Sequence, residues 1–109
     1  MTWWTAFLLT QAIEMPVYAL AMRGTPLSWA WRASVAFGAS ALTHPVVWFV
    51  LPGLFEPSLG WWGYVLVAET FAVVAEALYL RAFAIPRPWA WALAANGLSA
   101  TIGLWINLR

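Results

Sequence analysis

The chain has 109 residues, 64% of them hydrophobic and only 8% charged, with a formal net charge of +1 and a mean hydropathy of +0.78. A water-facing domain carries about 25% charged residues, so this composition excludes an ordinary soluble surface. The small net charge excludes the clustered basic face of a nucleic-acid-binding protein. With no cysteine present, a disulfide framework, a thiolate metal site and a thiol nucleophile are excluded as well.

What remains is an all-α polytopic membrane protein, a single transmembrane domain over residues 1–109. Helix 1 is expected over about 3–22 and stops at the breaker cluster Arg23-Gly24-Thr25-Pro26. Helix 2 is expected over 28–51, ending at Pro52-Gly53. A connection from Pro52 to Gly60 follows, with two prolines, two glycines and a solvated Glu56. Helix 3 is expected over 61–83. The link Ile85-Pro86-Arg87-Pro88 then opens helix 4 over 88–108. Spans of ~20 residues use up nearly all of the chain, and lipid offers an open backbone no hydrogen bonds, which leaves helices as the form. The segments do not alternate in polarity as barrel strands would.

Ten tryptophans cluster near the expected span ends, as in an aromatic belt at headgroup level. The N-terminus lacks the features of a cleaved signal peptide, so the first apolar stretch is expected to be retained. Arg23 and Arg32 flank the first connection, Arg81 and Arg87 the third, and only Arg109 lies on the other side. By the positive-inside rule, the first and third connections are cytoplasmic and both termini lie outside the cell membrane. Pro26-Leu27-Ser28-Trp29-Ala30-Trp31 and Gly38-Ala39-Ser40-Ala41 are echoed by Pro86-Arg87-Pro88-Trp89-Ala90-Trp91 and Gly97-Leu98-Ser99-Ala100. Glu14, Tyr18 and Arg23 are echoed by Glu76, Tyr79 and Arg81. The pattern suggests a tandem repeat of two helical hairpins.

Ionisable groups within spans are costly and so mark candidate sites. Counting ~1.5 Å per residue from the cytoplasmic end places Glu76, Asn96 and Glu14 at ~8–13 Å and His44 and Glu69 near ~18 Å. Glu14, His44, Glu69, Glu76 and Asn96 are therefore the expected ion- or proton-binding residues, in two layers, with Tyr18, Tyr79 and Ser99 as supporting hydrogen-bond donors. Thr10, Gln11, Glu14 and Tyr18 share a face of helix 1, and Ala36, Ser40, His44 and Trp48 one of helix 2. Glu69, Ala72, Glu76 and Tyr79 line helix 3, while Asn96, Ser99, Gly103 and Asn107 form a small, polar stripe on helix 4. Pro16 and Pro45 free the carbonyls of Ala12 and Ala41 beside Glu14 and His44. No cation lies at the depth of the acids, and burial favours the neutral form of such carboxyls. His44 is a partial counter-charge for Glu69. One histidine with glutamates suits an oxygen-rich cation site better than zinc. No metal is assigned and no cofactor is expected.

The segments Glu14-Met15-Pro16-Val17-Tyr18, Thr43-His44-Pro45-Val46-Val47-Trp48, Glu69 with Glu76, and Asn96-Gly97-Leu98-Ser99 together resemble an uncharacterised group of small bacterial four-helix membrane proteins. The resemblance covers most of the chain and implies no activity. Length and the helix 1 glutamate are similar to small multidrug-resistance transporters, but two glutamates in helix 3 and His-Pro in helix 2 depart from that pattern.

The function expected is a proton- or cation-linked transporter working as a homo-oligomer, surrounded by lipid and without nucleic acid. The alternative is a structural or assembly subunit docked on a partner membrane protein. An enzyme is not expected, because no serine–base pair or metal triad stands at recognisable spacing.

Overall fold

The computed structural model describes residues 2–108; Arg109 lies outside them. The chain forms α1 (Trp3–Ala21), α2 (Trp29–Phe49), α3 (Leu51–Ala82) and α4 (Pro88–Leu108). Among the described residues there is no strand, and the molecule is a four-helix bundle. The first two helices begin where a hydroxyl is available to their free amides: Thr2 accepts from the Thr5 N–H at 3.1 Å, and Ser28 from the Trp31 N–H at 3.2 Å. Arg32 fastens the first connection by donating to the carbonyls of Leu27 at 2.8 Å and Thr25 at 2.9 Å, its guanidinium 5.0 Å from the Trp29 ring centre.

The third connection is closed by a tight C-terminal motif. The Ile85 N–H donates to the Leu80 carbonyl at 3.1 Å and the Ala84 N–H to that of Arg81 at 2.9 Å. These are the two bonds of a Schellman ending, and buried Leu80 and Ile85 supply its apolar contact. Ala84 sits at φ 58°, in the left-handed region that usually calls for glycine.

The structure corrects one element. The expected connection from Pro52 to Gly60 is helical, and α3 runs on from Leu51. Pro52 stands in its first turn, where a missing N–H costs nothing. The helical backbone is interrupted at Gly60, with φ 74° and ψ 179°. The long straight part of α3 thus starts at Trp61, where helix 3 was expected.

Each helix packs on its neighbours in chain order and α4 closes against α1, leaving α1 opposite α3 and α2 opposite α4. At the end carrying the first and third connections, the arginine end, the interior is a tight apolar cluster. Tyr18, Met22, Val35 and Leu80 interlock there with Ala36, Ala39, Ala77, Ala92 and Ala95. Toward the other end the buried residues turn polar: Glu14, Ser40, Thr43, His44, Glu76 and Asn96. The outward faces are apolar on every helix, with Leu8, Phe49, Leu66 and Leu93 all more than 60% exposed. The interior thus joins an apolar cluster to a polar one, while large apolar side chains cover the outside of every helix. Among the described residues one helix, Leu51–Ala82, is long and apolar enough to cross a membrane, with a mean hydropathy of 1.5.

Candidate functional site

At the middle of the bundle Glu14 on α1 meets Glu76 on α3 across the diagonal. The two carboxyl groups lie within side-chain hydrogen-bonding reach of each other. Other side chains of α1, α2 and α4 send donors to them. Tyr18, one turn along α1 from Glu14, donates its hydroxyl to Glu76 Oε1 at 2.6 Å. On α2, Ser40 donates to Glu14 Oε1 at 2.6 Å and Thr43 to Glu76 Oε2 at 2.7 Å. On α4, Ser99 donates to Glu14 Oε2 and the Asn96 amide to Glu76 Oε1 at 3.2 Å. The same amide nitrogen donates to its own helix at the Ala92 carbonyl, 2.9 Å away.

The spacing explains how two helices serve two acids. Residues three apart lie on one face, about one turn from each other along the axis. The pair Ser40/Thr43 and the pair Asn96/Ser99 each place one donor on each glutamate. Of these groups all but Ser99 are buried, none of them more than 4% exposed. The described arginines stand instead at the helix ends, at positions 23, 32, 81 and 87, so all five donors to the acids are uncharged.

A cavity of about 480 Å³ opens from this pair toward the end opposite the arginines. Glu14, Glu76, Thr43, Asn96 and Ser99 form its closed end. Leu9, Val47, Val65, Ala72 and Ala100 form apolar walls; Glu69 and His44 stand higher up, and Trp48, Trp61 and Tyr64 lie toward the mouth. Below the acids the alanine-rich cluster at the arginine end seals the bundle. The cavity is blind.

The structure thus gathers Glu14, His44, Glu69, Glu76 and Asn96 around one space. No family model, no curated protein and no solved structure matches the chain. What the site does must be argued from its own groups.

Of the expected supporting donors, Tyr18 and Ser99 reach the acids. Tyr79 does not: its hydroxyl donates to the Val35 carbonyl at 2.9 Å and lies against Gly38. Three residues beyond Glu76, it has turned toward α2. His44 is likewise corrected as the counter-charge of Glu69. Its ring packs among Trp3, Phe7 and Trp48, at centre distances of 5.7, 5.5 and 5.9 Å. Its Nε2 is buried without a hydrogen-bond partner. Gln11, on the Glu14 face, instead ties α1 to the Phe37 carbonyl of α2 at 3.0 Å.

Two functional donors, Ser40 as a ligand of Glu14 and Thr43 as a ligand of Glu76, did not stand out in the sequence. Their i, i+3 spacing, repeated by Asn96 and Ser99, is the signal that marks them. Among the described residues no group of three or more His, Cys, Asp or Glu side chains is placed to hold a metal ion. Two neighbouring carboxyl groups held only by neutral donors form an arrangement that suits a proton or a monovalent cation.

Proposed function

We propose that this chain is a multi-pass protein of the cell membrane that binds a cation in exchange for a proton at the Glu14–Glu76 pair, as the central site of a small transporter. The observation that carries this reading is the pair itself. Two carboxyls sit at the blind end of a cavity, held by five neutral donors and by no basic side chain. Structural packing asks only that buried polar groups be satisfied. It gives no reason to set two acids against each other, an arrangement that is stable only while they share a proton or hold a positive charge.

Four crossings are supported by the large apolar side chains exposed on every helix. Soluble proteins rarely expose wide apolar patches, whereas here all four helices carry them. The arginine-bearing connections are then cytoplasmic and the cavity faces outward. Passage to the cytoplasm requires the alanine-rich cluster to open by sliding of its packed helices, a motion small side chains allow. A second copy of the chain completes the pathway if the bundle itself stays shut.

Reconstitution into proteoliposomes with an imposed proton gradient tests this. Cation-dependent proton movement is expected for wild type, with a loss of about 100-fold or more in Glu76→Gln and Glu14→Gln, comparable to removal of a positioned acid–base group. Equal proton flux in all three proteins removes the pair from the mechanism. Copurification with one stoichiometric partner, without flux, would instead favour a docked assembly subunit.

A further inference from the structure

The cavity holds more than the acid pair needs. Glu69 stands seven residues from Glu76 on the same face of α3, about 10 Å higher along the axis. On α2, His44 lies four residues beyond Ser40, about 6 Å higher. The wall between the two levels is apolar, formed by Leu9, Val65, Ala72 and Ala100. His44 is only 8% exposed, lines the cavity, and keeps an unpartnered Nε2. A buried polar atom without a partner is rare and asks what completes it. Gln11 Oε1 and Trp3 Nε1 are also unpartnered, but neither residue lines this cavity.

We infer that the cavity binds a short linear α,ω-diamine as its dication, one ammonium on Glu14 and Glu76 and the other at the level of Glu69 and His44. The charge count sets the number of positive ends. With cations bound, the acid pair can carry one site of negative charge and the Glu69 carboxyl, at a different height, a second. One ammonium answers only one of them. A compact divalent metal ion answers neither well, since no three ligating side chains converge and the intervening wall offers it no oxygen. A methylene chain fits that wall. At the upper level the Trp48 ring offers a face to the cation, and a turn of the His44 ring would bring its Nε2, closed off here, into reach as an acceptor for an ammonium N–H.

This inference rests on reading the cavity as a cation site, and not on transport. The test is calorimetric titration of the purified full-length protein in nanodiscs with putrescine, cadaverine, n-butylamine, NaCl and MgCl₂. Putrescine or cadaverine is expected to bind at least about tenfold more tightly than n-butylamine, the difference one further charge-assisted contact supplies. In Glu69→Gln that difference disappears. Equal affinity of wild type for diamine and monoamine, or competition by magnesium as effective as putrescine, overturns the inference, and neither comparison depends on a variant folding. Preferential diamine binding without flux in proteoliposomes would sink the transport reading alone. Flux driven equally by n-butylamine and putrescine, with equal affinities, would keep transport and sink this inference.

Discussion

Thr43 and Ser40 hold the acids with hydroxyls that had other partners at hand. A serine or threonine in a helix can donate to the carbonyl one turn back, and Ser34, Thr70 and Thr101 do so, to Ala30, Leu66 and Gly97. Ser40 turns inward instead, because a carboxyl oxygen waits there, and Thr43 makes its shortest bond, 2.7 Å, to Glu76 while staying 3.4 Å from the Ala39 carbonyl. Replacing Thr43 with valine keeps the shape and removes the donor to Glu76 Oε2. Unfolding in detergent is expected to show a loss of about 1–3 kcal/mol, the cost of an unsatisfied buried acceptor. The loss should shrink when Thr43→Val is combined with Glu76→Leu, which removes the acceptor; full additivity would show that the hydroxyl does not serve this acid. The five acid, histidine and amide positions were legible in sequence because such groups are rare at membrane depth. The hydroxyls were not legible, because every helical Ser or Thr carries a local alternative that sequence does not discriminate. Tyr79 misled for a related reason: three residues from Glu76 is the same broad face, yet a long side chain on that face can reach sideways to the α2 backbone.

Helix ends are where element-level reasoning succeeds and fails most sharply here. The breaker clusters at Arg23–Pro26 and Ile85–Pro88 gave the first and third connections. The stretch from Pro52 to Gly60 misread as a loop because Pro52 falls in a first turn, where it fits, and because the helix carries Pro57 in its interior without ending there. A proline in the first turn initiates a helix, and only a later one interrupts its bonding. The break in α3 falls instead at Gly60, whose φ of 74° and ψ of 179° belong to a region nearly closed to residues with a Cβ. Gly60→Ala is therefore expected to cost about 1–3 kcal/mol, although an added Cβ there meets nothing within 4 Å. Ala84 makes the opposite case. It occupies the left-handed position of the Schellman ending, so Ala84→Gly should stabilise by about 1 kcal/mol. Chemical or thermal unfolding of the two variants checks both signs, and a stabilised Gly60→Ala would refute the backbone account.

At the scale of the molecule, the halves of the sequence echo each other but build an unequal interior. Ser40 and Ser99, which the repeat equates, bind the two oxygens of the same Glu14. Tyr18 and Tyr79, also equated, part company, one to Glu76 and one to the Val35 carbonyl. The hairpins each give one acid to the central pair, yet their hydroxyls do not divide symmetrically between the two acids. Sequence showed four apolar helices and their polar faces, but closure into a ring around a polar cavity depends on which faces meet. The acids lie between an apolar cluster and an open mouth. On the proposed reading the mouth is the side from which cations arrive, and the arginine-bearing connections lie on the other. Because the chain contains no cysteine, single cysteines report this directly. Gly24→Cys in the first connection and Ser58→Cys beyond α2 replace exposed residues. In intact cells an impermeant maleimide is expected to label Ser58→Cys at once and Gly24→Cys only after permeabilisation. Labelling of both from outside would mean that the helices between them do not cross the membrane. The reverse pattern would keep the crossings, turn the cavity toward the cytoplasm, and recast the acid pair as an export site.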